Sequence, residues 1–163
     1  MSSAAATQLT LDLPHRPALG ADDFLVAESN EEAVAWVDRW PNWEAPGLAI
    51  HGPAGCGKSH LLTVWRTRTK ATLLSAADLR PGLDPIRLLR GADAAAVECG
   101  AAGEGANETT LLHLYNIVAE RGGGLLLASR EPPARWKTGL ADLASRLGAL
   151  PAIGLQPPDD RLL

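Results

Sequence analysis

One octapeptide constrains this chain more than any other feature: Gly52-Pro53-Ala54-Gly55-Cys56-Gly57-Lys58-Ser59. It satisfies G-x-x-x-x-G-K-[ST] at every fixed position, with a short apolar stretch, 47–51, before it and a helical pattern opening at Lys58. Glycines let the backbone curl until its N–H groups point inward at phosphate oxygens, and a helix N-terminus adds a favourable dipole. On this reading Lys58 reaches the β- and γ-phosphates and the Ser59 hydroxyl ligates Mg²⁺. His60, in the first helical turn, is grouped with residues 52–59 as cofactor-binding. The expected cofactor is ADP or ATP with Mg²⁺.

Such a site needs an acid at the end of a neighbouring strand. Glu98, closing the apolar run 94–97, is the candidate, and it is paired with Ser59 as a metal ligand; Asp93 stands at the wrong end. The next residue, Cys99, falls where many phosphate-loop ATPases place a carboxylate that orients water. A thiol is a poor general base, so the expectation is intact nucleotide binding with weak or no intrinsic hydrolysis.

The remaining pattern alternates strands and helices. Helices are expected over 31–40, 58–68, 85–89, from a cap at Asn107 to Arg121-Gly122, and over 140–147. Strands are expected over 47–51, 71–75, 94–97, 124–129 and 152–155. That order predicts an α/β fold: a three-layer α/β/α base domain with a mainly parallel five-stranded sheet. Residues 1–20, rich in Ala, Ser, Thr and Pro, are expected to be a flexible tail, and 21–163 the nucleotide-binding domain.

Composition narrows the classes. At 163 residues and 46% hydrophobic, the chain is long enough for one full core. No apolar run reaches the roughly 18 residues of a membrane span, and the N-terminus lacks the basic and apolar regions of a secretory signal. Two cysteines without metal spacing suit a reducing cytoplasm. The net charge of −4 argues against nucleic acid as the main direct partner. Charge is uneven, however: −6 over residues 1–51, +5 over 52–91 and −3 beyond.

Further segments carry a resemblance: Phe24-Leu-Val, Leu111-Leu-His-Leu-Tyr-Asn116, Leu125-Leu-Leu-Ala-Ser-Arg-Glu-Pro-Pro133 with Trp136, Asp142-Leu-Ala-Ser-Arg-Leu147 and Pro157-Pro-Asp-Asp160. Together with the phosphate loop, and in the same order, they resemble the AAA+ ATPases of the DnaA replication-initiator family, above all its shorter Hda-type branch, which switches the initiator off. The resemblance implies a sensor 1 role for Ser129 beside the γ-phosphate. It implies that Arg146 is an arginine finger offered to nucleotide on a neighbouring subunit. The tail segment Gln8-Leu9-Thr10-Leu11-Asp12-Leu13 resembles a motif for the sliding clamp of the replicative polymerase, with Gln8, Leu9, Leu11 and Leu13 as the partner-binding residues. The implied partners are therefore the sliding clamp and DnaA, with DNA engaged only indirectly through the clamp. The family's paired acids are replaced by Glu98-Cys99. The chain stops where the family's helical lid begins, so a lid and its sensor 2 arginine are not expected. A stand-alone phosphate-loop ATPase or kinase, and a clamp-binding adaptor without catalytic partnership, are the competing expectations.

Overall fold

The computed structural model describes residues 30–157. The tail segment 8–13 lies outside the described residues. Five helices and five strands alternate: α1 (Glu31–Asp38), β1 (Gly47–His51), α2 (Lys58–Thr69), β2 (Thr72–Ser75), α3 (Pro85–Leu89), β3 (Ala95–Glu98), α4 (Glu108–Glu120), β4 (Leu125–Ser129), α5 (Ala141–Gly148) and β5 (Ala152–Gly154). Every strand pairing is parallel, in the order β2-β3-β4-β1-β5. β4 is thus inserted between β1 and β3, and the carboxyl ends of these three strands open side by side. Crevices at that edge are where open α/β sheets place ligands.

Residues alternate between two cores. Leu48, Ile50, Ala96, Leu126 and Ala128 face α1 and α2, beside Val34, Leu61, Leu62 and Trp65. Ala49, Ala95, Val97, Leu125 and Leu127 face α3, α4 and α5, beside Leu89, Leu111, Leu114, Leu143 and Leu147. Helices cover both faces, so the central strands read as unbroken apolar runs rather than alternating ones. The register sets His51 level with Ser129 and Val97 level with Leu127.

The elements form for local reasons already legible in the sequence. Asn107 caps α4 by accepting from Thr110 N–H at 3.0 Å, and Gly122 follows the helix end at φ 72°. Asp84 caps α3 by accepting from Ile86 N–H at 3.0 Å, with Pro85 in the first turn. α5 has no cap of its own from Leu140. Glu108 on α4 substitutes, its carboxylate accepting from the backbone N–H groups of Gly139 and Leu140. Two short 3-10 turns, Ala76–Asp78 and Pro133–Arg135, were not foreshadowed by periodicity. α1 ends at Asp38, two residues before the boundary expected at Trp40.

That shorter helix frees Trp40 for packing. Trp40, Trp43 and Trp65 have ring centroids 5.1–5.5 Å apart, with Trp43 stacked on Trp65 at 15°. Trp65 is fully buried and joins the phosphate-loop helix to the far end of the sheet. A Cβ at Gly124 would lie 2.4 Å from the Trp40 ring, so glycine is required there. Trp65→Ala is expected to cost about 3–5 kcal/mol of unfolding free energy, read from chemical denaturation.

Candidate functional site: a phosphate loop facing a strand-end carboxylate

The loop between β1 and α2 is shaped by glycine. Gly55 and Gly57 have φ of 81° and 100°, in the left-handed region that side chains resist. Gly52 is required for a different reason: a Cβ there would lie 2.5 Å from the Leu155 carbonyl oxygen and 2.9 Å from the Cys56 sulfur. The turn therefore lies directly against the chain leaving β5 and delivers Lys58 as the first residue of α2.

Lys58 is buried, and its ammonium donates to the carbonyls of Gly52 at 2.6 Å and Pro53 at 3.0 Å. The Ser59 hydroxyl lies 3.0 and 2.8 Å from the two carboxylate oxygens of Glu98. This is the central contact of the site. It brings the first turn of α2 onto the end of β3, so the two expected metal ligands stand together. Ala54, Gly55, Gly57, Lys58, Ser59, His60, Glu98, Gly100 and Arg130 line a pocket of about 500 Å³. Gly52, Pro53 and Cys56 stand behind that lining as its frame, with Cys56 buried.

These residues fit a Mg²⁺–nucleotide. The glycine cradle is open to phosphate, and hydroxyl and carboxylate oxygens converge as hard-cation donors. Mg²⁺ keeps several waters and takes one or two protein ligands plus phosphate, so two protein donors suffice. No group of three or more His, Cys, Asp or Glu suited to a metal occurs among the described residues.

Two expected positions are placed differently from their neighbours in sequence. Ser129 is buried, and its hydroxyl donates to the Glu131 carbonyl at 2.6 Å. The same carbonyl accepts from the Trp136 indole at 2.9 Å. Ser129 thus ties down the segment after β4, and the side chain that β4 sends to the pocket wall is the next one, Arg130. Sequence reading passed over Arg130; the signal that could have found it is a cation immediately after an apolar strand ending beside the phosphate loop.

Cys99 is fully buried, in the core shared with α4, and is absent from the pocket lining. The sequence expectation of a thiol at the water-orienting position is corrected here. Strand alternation sends Glu98 toward the loop and Cys99 inward. Burial, aided by the neighbouring Glu98 charge, pushes the Cys99 thiol up to about 12. His51, at the end of β1, has its pKa lowered by burial, with the Arg135 and Lys58 charges adding to the effect against Glu131.

Arg146 lies on α5, across the sheet from α2, and lines no part of the phosphate-loop pocket. Its guanidinium carbon is 6.0 Å from the Tyr115 ring centroid, and its Nε is buried without a hydrogen-bond partner. No ion pair joins it to Asp142 among the described residues. The clamp-motif residues Gln8, Leu9, Leu11 and Leu13 lie outside the described residues.

The sheet order, the phosphate loop after β1 and the acid closing β3 define the class: a phosphate-loop nucleotide-binding fold of the AAA+ base-domain type. Solved structures agree. AMPPCP-bound DnaA from Aquifex aeolicus superposes with a TM-score of 0.66 at 21% identity, over 84% of this chain and 49% of that one. Domain III of Thermotoga maritima DnaA gives 0.65 at 20% identity, over 89% of this chain and 70% of that one. A DnaI structure gives 0.58 at 14% identity, over 83% and 86% respectively. The chain spans about half the length of the longer DnaA structures it matches. No protein-family model matches the sequence, and no curated protein matches it. Among the described residues no helix is long and apolar enough to cross a membrane.

Cys99 yields a prediction with a definite sign. Its folded pKa is raised, so the stability contributed by the neutral thiol is complete below about pH 9 and declines as pH climbs toward 12. At pH 8 the native protein is expected to leave Cys99 unalkylated by iodoacetamide, while the denatured chain is modified there, as mass spectrometry of the peptide would show.

Proposed function

We propose that this chain is a regulatory AAA+ protein of chromosome replication initiation, of the Hda type. It binds ADP or ATP with Mg²⁺, holds the polymerase sliding clamp through Gln8, Leu9, Leu11 and Leu13, and promotes hydrolysis of ATP carried by DnaA. DNA is reached only through the clamp, and the protein works in the cytoplasm. Residues 1–20 serve as the clamp-binding tail and the rest as the nucleotide-binding domain.

The observation that carries the reading is the contrast between positions 98 and 99. Glu98 meets Ser59 at the pocket, whereas Cys99 faces the core with a thiol that stays neutral. The site has what is needed to grip a Mg²⁺–nucleotide and lacks an ionised acid beside Glu98 to activate water. That supports a regulator over a stand-alone ATPase or kinase. The likeness to DnaA structures, one of them bound to AMPPCP and single-stranded DNA, supports a replication context.

Roles follow from chemistry. The backbone N–H groups of Gly55–Ser59 and the Lys58 ammonium bind phosphate oxygens. Ser59 and Glu98 hold the metal, which neutralises phosphate charge when bound. Ser129 orders the wall beside the terminal phosphate. Arg146, remote from the chain's own pocket, offers forked donors to nucleotide on a partner.

Nucleotide at about 100 times its Kd is expected to raise the melting temperature by roughly 5–10 °C, and Lys58→Ala to abolish most of that shift. Absence of a shift in the parent chain would overturn the nucleotide-binding reading.

Capture on immobilised clamp and stimulation of DnaA ATP hydrolysis on clamp-loaded DNA test the remainder. Replacing Gln8 and Leu11 by Ala is expected to abolish capture without changing the thermal shift. Arg146→Ala is expected to keep capture and the shift but lose the stimulation, which for arginine fingers is about 10³- to 10⁵-fold. Equal stimulation by parent and Arg146→Ala would remove the finger assignment, and no stimulation by the parent would favour a clamp-binding adaptor.

A further inference from the structure

The strand order leaves β2 at one edge of the sheet. Its inner side is covered by β3, which pairs Thr72 through Ser75 with Ala95 through Glu98. Thr72 N–H donates inward to the Ala94 carbonyl at 3.0 Å. In a parallel ladder alternate residues turn their backbone groups to the same neighbour, so Thr72 and Leu74 face β3 and Leu73 faces out. The N–H and C=O of Leu73 therefore offer an open rung. Its side chain is 40% exposed. Leu73 and Ile86 of α3 are the large apolar side chains left exposed among the described residues. α3 ends against the same strand, where the Thr72 hydroxyl donates to the Leu89 carbonyl at 2.6 Å.

The amino end of this edge opens into a cavity of about 510 Å³, at the end of the sheet opposite the phosphate loop. Thr72 lines it together with Lys70 and Arg90, which directly follow α2 and α3. Both cations are exposed, and neither side chain makes a hydrogen bond or ion pair with any described residue. They are also the non-glycine residues with positive φ among the described ones, at 60° and 53°. Backbone of that kind costs energy and fixes where each side chain leaves the rim. The third cation, Arg121, is occupied: it donates to the Ala92 carbonyl at 2.8 Å and lies 4.0 Å from Asp93. Cations at helix ends complement the helix dipole. That accounts for their position but not for the apolar, open-edged strand beside them.

We propose that the β2 edge is a docking site for an extended acidic segment of a partner protein, which joins the sheet as an added strand. The segment pairs its backbone with Leu73, packs an apolar side chain on the Leu73 side chain and sends a carboxylate into the cavity between Lys70 and Arg90. Charge selects this occupant. Residues 52–91, with β2 near their middle, carry +5. A second copy of this chain paired edge to edge would bring two such segments together, and like charges oppose strand pairing. An acidic strand meets the same cations as partners, through charge-assisted hydrogen bonds. Nucleic acid would engage the cations through phosphate but leave the open rung and Leu73 unused. The cations thus turn away one kind of strand and admit another.

The test titrates the whole chain with the end-capped peptide Glu-Val-Glu-Val-Glu-Val-Glu and follows backbone amide shifts by NMR. Binding is expected to saturate, with shifts centred on Lys70 and Leu73 and none over 55–59. The matching Lys-Val peptide is expected to bind at least about 10-fold more weakly, the scale of hydrogen bonds to charged groups. A fully N-methylated glutamate peptide should not bind, because an added strand needs its N–H groups. Leu73→Ala, and separately Lys70→Gln with Arg90→Gln, should each weaken the glutamate peptide by about 10-fold. The fold should be retained in both, as circular dichroism would show, since all three side chains are exposed. No saturable binding, equal affinity for the two peptides, shifts away from β2, or unchanged affinity in the folded variants would overturn the proposal. So would a single-stranded oligothymidylate that displaces the peptide, or dimerisation of the parent that Leu73→Ala abolishes.

Discussion

The structure depends on the passage of β1 into α2 beneath Leu155. At Gly52 the backbone comes so close to the chain leaving β5 that no side chain fits. The consequences run outward from that approach. α2 starts with Lys58 over the loop carbonyls and with Ser59 against Glu98. Glu98 can be there only because β3 ends level with the first turn of α2, and β3 ends there because β4 holds it in register from Ala95 to Glu98. Sheet order and loop geometry are thus two parts of one constraint. Altering either would separate the hydroxyl from the carboxylate.

The two faces of the sheet divide the work. One face carries α1 and the phosphate-loop helix, locked together by the tryptophans and by Leu61 and Leu62. The other carries α4 and α5, joined through Glu108, whose carboxylate caps α5 from outside. Arg146 sits on this second face. Its guanidinium lies over Tyr115 of α4 and outside the lining of the phosphate-loop pocket. The sheet thus separates Arg146 from the phosphate-loop pocket.

Much of this was legible in the sequence, because the relevant signals are local. The phosphate loop needs glycines at fixed spacing, Asn107 and Asp84 advertise helix starts, and five short apolar runs between helical patterns announce a parallel sheet. What the sequence hid was decided by direction rather than by composition. Whether Glu98 or Cys99 faces the pocket depends on which side of the strand each occupies, and a one-residue shift exchanges them. Ser129 and Arg130 pose the same ambiguity at the end of β4, where a polar residue and a charged one stand side by side. Residues 131–136 were legible as a motif, but not as the carbonyl of Glu131 gathering the Ser129 hydroxyl and the Trp136 indole.

Those directional details bear on the chemistry more than the motif does. A phosphate loop alone specifies that phosphate is held, since its donors are backbone N–H groups common to every member of the class. What happens to the phosphate depends on the few side chains that neighbouring strands present. Here β3 presents one carboxylate and turns the following thiol inward, while β4 turns its hydroxyl away and presents a guanidinium. The wall therefore sets a carboxylate, a hydroxyl and a guanidinium around the loop, with His60 beside them and the thiol excluded. Electrostatic stabilisation by a guanidinium and proton transfer by a base are separate contributions, and each depends on which side chain a strand end turns toward the loop.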